Sequence, residues 1–162
     1  PEQNIAHAMT ALMAQNKGAG KIDRMKEGFR CGIILETIYG ILIFIICFVF
    51  ARPLMLMFVK DEEVIGHGVT YLHLISVMYL LPALTNGIQG FFRGIGDLKI
   101  TLISSFINMA LRVLAAAPLV LIWKMGIEAL PYSYLAGWIG MLVAETPLLL
   151  KTYKTWGKKA GQ

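Results

Sequence analysis

Four long apolar runs, separated by short polar or glycine-rich connections, dominate the chain. The run Cys31–Phe50, CGIILETIYGILIFIICFVF, is 20 residues with one charge, Glu36. At a rise of about 1.5 Å per residue it covers about 30 Å, the thickness of a bilayer core. Gly68–Gln89 is a second run, interrupted by His73, Pro82 and Asn86. Ile100–Trp123 is a third, with Asn108 and Arg112 near its middle and Trp123-Lys124 as an interfacial anchor. Ala129–Leu150, which contains Glu145-Thr146-Pro147, is the fourth. Each predicts a transmembrane helix, and Pro82 predicts a bend in the second, because proline removes one backbone hydrogen bond that neighbouring helices then re-satisfy. Between the first two runs, Arg52-Pro53 and Lys60-Asp61-Glu62-Glu63 mark a loop with an interfacial turn. The apolar stretch Ala6–Ala14 is too short to cross alone, so residues 1–16 read as the end of a truncated span. Residues 17–150 read as a four-helix part of an all-α polytopic membrane bundle, and 151–162 as a basic tail.

Composition agrees with a lipid environment. Apolar residues make up 57% of the chain and charged residues 15%, against about 45–50% and 25% in soluble domains. The net charge of +5 would suit a nucleic acid only if the bases formed one face of a soluble fold, and here they lie between the apolar runs. They are also unevenly shared. Lys17, Lys21, Arg24, Lys26, Arg30, Arg93, Lys99, Lys151, Lys154, Lys158 and Lys159 fall on one side of the predicted spans; Arg52, Lys60 and Lys124 fall on the other. By the positive-inside rule the first side, with the C-terminus, is cytoplasmic. Cys31 and Cys47 sit in or beside one apolar run, where thiols act as small hydrophobes, so no structural disulfide is expected. No initiator Met, basic leader or cleavage site opens the chain, which is expected to be a fragment of a longer protein.

Polar groups at membrane depth are the candidates for function, since an ionisable side chain at a helix centre costs at least about 2.5–3.5 kcal/mol on insertion scales. Arg112, near mid-span, and Glu145, near the cytoplasmic end of the fourth run, are the foremost, each with a structural ion pair as the plainer reading. Glu36 is close enough to the surface to be met by Arg30 or Lys26. Asn86 and Gln89, one turn apart, are expected to share a face and offer amide oxygens to a cation or polar ligand; Asn108 lies on the following span. His73, which with Tyr79 could line the same cavity or sit at an interface, reads as a structural group, His7 is open to either role, and the methionines and Phe91-Phe92 read as packing. The loops Gly18-Ala19-Gly20 and Gly94-Ile95-Gly96 lack the preceding strand that a nucleotide site needs, and read as tight turns. No HExxH, CxxC pair, P-loop or nucleophile elbow supports an enzyme.

Gln15-Asn16-Lys17-Gly18-Ala19-Gly20 with Arg24, and later Gln89-Gly90-Phe91-Phe92-Arg93-Gly94-Ile95-Gly96-Asp97 followed by a span with Asn108 and Arg112, resemble the C-terminal lobe of the multidrug and toxic compound extrusion (MATE) family of efflux transporters. The resemblance covers nearly the whole chain. It implies a twelve-span protein in two lobes that exports amphipathic or cationic compounds from the cell by alternating access, in exchange for Na⁺ or H⁺ and with no cofactor. It also implies that this chain supplies the end of the eighth span and the ninth to twelfth, with membrane lipid and an N-terminal lobe as partners in the inner membrane. One branch of the family holds a cation with carboxylates on the seventh and tenth spans; the counterpart on the tenth here is Asn86. A flippase of lipid-linked saccharides and a non-transporting truncated membrane protein are the alternative readings.

Overall fold

The computed structural model describes residues 2–159, and among these every regular element is helical. The helices are α1 (Glu2–Gly18), α2 (Ile22–Val49), α3 (Ala51–Leu56), α4 (Glu62–Met78), α5 (Leu80–Gly94), α6 (Leu98–Leu121) and α7 (Ala129–Lys159). By length and apolarity α2, α6 and α7 can each cross a membrane, and α4 with α5, bent by 46°, has the length and apolarity of a fourth crossing when the two are taken as one span. The chain is therefore a multi-pass membrane protein.

The bend expected from Pro82 is present, with the break at Tyr79. Pro82 is the third residue of α5, where a missing N–H costs nothing because the first helical turn has no intrahelical acceptor for it. Three boundaries differ from the apolar runs, because helices continue through polar sequence beyond the hydrocarbon. The first span begins at Ile22 rather than Cys31, so only residues 19–21 connect it to α1; Leu54 and its neighbours form the short helix α3; and α7 runs past Leu150 to Lys159. Asp61 caps α4 by accepting from the N–H groups of Glu63 and Val64, and Arg52 of α3 donates to both Glu62 carboxylate oxygens at 3.0 and 3.1 Å.

Helix α5 is central, with α1, α2, α6 and α7 against it. Its approach to α1 is set by small residues, as expected where lipid offers no hydrophobic drive and backbones must come close. A Cβ at Gly90 would lie 2.6 Å from the Ala6 carbonyl oxygen, and one at Gly94 would lie 2.6 Å from that of Thr10. Thr10 Oγ1 donates to the Gly90 carbonyl at 3.1 Å across the same seam. Elsewhere methionine fills the hollow over glycine: Met9 over Gly32, Met13 over Gly94, and Met55 over Gly68. Gly137 and Gly140 of α7 receive Arg112 and Leu111 of α6. The core lies towards the basic ends of the helices, where Phe91 is fully enclosed by Phe29, Phe92, Tyr153 and Trp156 at ring separations of 5.0–6.0 Å. The expected packing role of Phe91-Phe92 is met there. Outward faces carry bare apolar side chains such as Leu102, Phe106, Met109 and Val113, the pattern of a lipid-facing surface.

Both glycine loops end their helices in the same way. The Gly20 N–H bonds the Lys17 carbonyl and the Lys21 N–H that of Asn16; Gly96 and Asp97 repeat this with Arg93 and Phe92. These are Schellman closures, and Gly20 (φ +68°) and Gly96 (φ +81°) hold the left-handed position they require. Lys17 Nζ reaches across to the Ile95 carbonyl and joins the two loops.

Candidate functional site

Two clusters of polar side chains gather around buried carboxyl groups in the bundle, one on each side of α5. The first lies between α1, α2 and α5. Asn86 donates from Nδ2 to a carboxylate oxygen of Glu2, and Tyr79 at the helix break is also near enough to Glu2 to act on it. Glu36 of α2 faces inward against Gly87 of α5, with no exposed surface, and neither of its oxygens has a hydrogen-bond partner. Glu2 is its electrostatic neighbour. Two carboxyl groups, an amide and a phenol thus meet where α4 gives way to α5. They are hard oxygen donors of the kind that hold a proton or a small cation.

The second cluster lies between α5, α6 and α7. Gln89 Nε2 donates to Ser105 Oγ at 3.2 Å and lies 4.0 Å from Met141 Sδ, to which Asn108 Nδ2 donates at 3.6 Å. One turn along α7 from Met141, Glu145 has no exposed surface and both of its oxygens are unpartnered. Ser104 and Gln89 flank it, and the Ser104 hydroxyl is turned to the Thr101 carbonyl at 3.2 Å.

Several expectations change on this geometry. Asn86 and Gln89 do not serve one cavity: three residues turn a helix by about 300°, enough to send Asn86 towards α1 and Gln89 towards α6 and α7. Glu36 has no contact with Arg30 or Lys26, because its side chain points into the bundle; Lys26 pairs instead with Asp23 at 3.8 Å. Among the described residues Arg112 is not paired with Glu145 or any other carboxylate. Its guanidinium stacks on Tyr134, 3.8 Å from the ring centroid, with Tyr71 of α4 close by. A cation on an aromatic face keeps its charge without a counter-ion, an arrangement worth about 0.5–2 kcal/mol. His73 bonds the Phe48 carbonyl at 3.1 Å through Nε2 and stacks on the Phe48 ring, a structural role.

The motif loops serve as connections rather than ligands. Asn16 Nδ2 bonds the Leu12 carbonyl, Arg93 Nε bonds that of Gln89, Gln15 accepts from the Ala19 N–H, and Arg24 is exposed. Asp97 stands at the start of α6 without a side-chain capping bond. Gly18 has open space around it and no unusual φ, so the turn role expected of it belongs to Gly20.

Glu2 is the residue that sequence reasoning passed over. Its signal was available: Glu2, Ala6, Met9 and Met13 form one buried stripe at helical spacing, and extending the stripe back from Met13 reaches the carboxylate.

A multi-pass helical bundle whose buried carboxyl and amide groups gather at a broken helix has the make-up of a membrane transporter lobe. Residues 2–117 match the MatE family, and the chain belongs to that family of transporters. It is 26% identical over 166 residues to "Probable multidrug resistance protein NorM" of Thermotoga maritima, covering 99% of this chain and 34% of that protein. It is 30% identical to "Probable multidrug resistance protein YoeA" of Bacillus subtilis, covering 98% and 34%. The chain thus spans about a third of the length of these relatives. In fold it is similar to the MATE transporter ClbM in complex with Rb⁺, with a TM-score of 0.84 at 17% identity, over 94% of this chain and 36% of that one.

Proposed function

We propose that this chain forms the C-terminal part of a secondary antiporter that exports amphipathic or cationic compounds in exchange for Na⁺ or H⁺. The observation that carries the reading is the meeting of Glu2, Glu36, Asn86 and Tyr79 at the α4–α5 break. Broken helices at membrane depth are where transporters place their ion and substrate sites, since freed backbone groups and buried side chains face one another there. Asn86 is an amide where a branch of the family has a carboxylate, and Glu2 and Glu36 supply acid groups beside it from α1 and α2. Gln89, Asn108 and Arg112 organise the opposite side of α5. The basic ends of the helices face the cytoplasm, the distribution that the positive-inside rule requires, in a bacterial inner membrane. A flippase of lipid-linked saccharides would need a basic cavity, and Arg112, the basic residue at mid-span, is already stacked on Tyr134.

The test is accumulation of a cationic dye in an efflux-deficient host that expresses the full-length transporter. Lower accumulation than in the empty-vector strain is expected, with loss of that difference in Glu36→Gln at equal membrane expression. Equal accumulation with verified, membrane-inserted wild type refutes the reading.

A further inference from the structure

Glu145 is a fully enclosed carboxyl group that the packing of the lobe does not explain. It has no exposed surface, neither oxygen has a partner, and it sits at the junction of three helices, all of them in this chain. A carboxylate left bare in such a place would be very costly, whereas a neutral acid needs only one acceptor and one donor. Ser104 and Gln89 stand beside it with a hydroxyl and an amide, groups with the donor and acceptor atoms that a neutral acid bonds when they turn to it; in this packing they are turned to the Thr101 carbonyl and to Ser105. Among the described residues no charged group takes part. On the packed helices, Arg93 of α5 donates to the Gln89 carbonyl, Lys99 lies exposed at the start of α6, and Arg112 is two turns deeper and held on Tyr134. On α7 itself, Lys151 and Lys154 are exposed beyond the core.

The surroundings also favour one ligand. Met141 Sδ closes one wall and already receives the Asn108 amide, and a thioether is a poor ligand for Na⁺ or another hard cation. A route for exchange is built into the same helix. Pro147, two residues on, has no N–H, so the Val143 carbonyl lacks its helical donor and α7 is weakened beside the acid. Ser104 stands about 9 Å, six residues, from the start of α6, so water has little depth to cross when α7 moves.

We propose that Glu145, with Ser104 and Gln89, is a proton-binding site within the α5–α6–α7 junction, separate from the Glu2–Glu36–Asn86 cluster. In the closed packing the carboxyl holds its proton. Separation of α7 about Pro147 admits water from the basic ends, the proton passes to that water, and reclosure requires a proton to return. The binding site stands on this geometry alone; its use in transport rests on the antiporter reading above.

Infrared difference spectra of the purified full-length transporter in liposomes read the site without any transport. The expected result is a protonated-carboxyl C=O band at neutral pH that is missing in Glu145→Gln, shifts in frequency in Ser104→Ala, and is unchanged by Na⁺. Absence of a band difference between wild type and Glu145→Gln, or disappearance of the band on adding Na⁺ alone, overturns the proposal. In dye-loaded cells, wild-type export is expected to vary with external pH and Glu145→Gln export to vary much less. The same pH profile in both overturns the transport role of Glu145. A wild type that exports no dye instead overturns the antiporter reading and leaves the infrared result standing.

Discussion

Gly90→Ala and Gly66→Ala make the same chemical change in two helices and are expected to move stability in opposite directions. In α5, the added methyl at Gly90 would meet the Ala6 carbonyl oxygen at 2.6 Å and the Ala6 Cα at 3.2 Å. These are backbone atoms, so relief requires α1 to move away by nearly an ångström. Such overpacking costs about 1–3 kcal/mol, and the displacement also stretches the 3.1 Å bond from Thr10 to the Gly90 carbonyl, worth about 1 kcal/mol. Against this, alanine gains about 1 kcal/mol of helix propensity over glycine. The balance is a loss of about 2 kcal/mol. At Gly66 in α4 nothing lies within 4 Å of the new methyl, so only the propensity gain of about 1 kcal/mol remains. Reversible unfolding of the full-length protein titrated with SDS in mixed micelles should therefore separate the two variants by about 3 kcal/mol, with wild type between them. Equal midpoints, or Gly90→Ala at or above wild type, would show that α1 and α5 are not held at backbone contact.

Three further substitutions probe other parts of the bundle. Asn86→Leu removes the amide donor to Glu2 and leaves that buried acid with one partner fewer, so the same SDS titration should show a loss of about 1–3 kcal/mol; Asn86→Gln, which keeps an amide, should recover part of it. Arg112→Lys exchanges a planar stacking group for a compact ammonium on Tyr134 and should cost about 1 kcal/mol, an effect that vanishes when Tyr134→Leu is already present. Gly96→Ala forces a Cβ into the left-handed region at φ +81°, costing about 1–2 kcal/mol, whereas Gly96→Asn should cost less because asparagine tolerates that conformation; thermal unfolding in detergent of both variants distinguishes them.

The spans were legible because hydrocarbon imposes a uniform demand on the side chains that face it: they are overwhelmingly apolar, and runs such as Cys31–Phe50 and Ile100–Trp123 record it despite the few polar groups within them. Pro82 likewise announced its bend. The helix ends were not legible from apolarity, since Ile22–Arg30 and Lys151–Lys159 are helical outside the hydrocarbon, where polar residues are free to occur. The polar clusters were harder still. Asn86 and Gln89 look like neighbours on one face, yet the angle of about 60° between them is enough to reach different partners when helices crowd α5 from both sides. The inward direction of Glu36 depends on Gly87, fifty-one positions away, and no local pattern encodes that contact. Arg112 was found by its depth, but its partner Tyr134 could be seen only once α6 and α7 lay side by side.

The seams in which methionine fills the space over glycine have a chemical consequence. At Met9 over Gly32 and Met55 over Gly68 the thioether occupies the volume that a Cβ would need, so a sulfoxide oxygen has nowhere to go without parting the helices. Met9 is buried and shielded from oxidants, whereas Met55 is partly accessible beside the α3–α4 turn. Peroxide or hypochlorite should therefore act at Met55 before Met9, measurable as a 16-dalton gain on its peptide, and loosen the α3–α4 corner before it reaches the seam of α1 and α2. Methionine lets this lobe pack closely with few residue types, at the cost of making one corner of it an oxidant-sensitive joint.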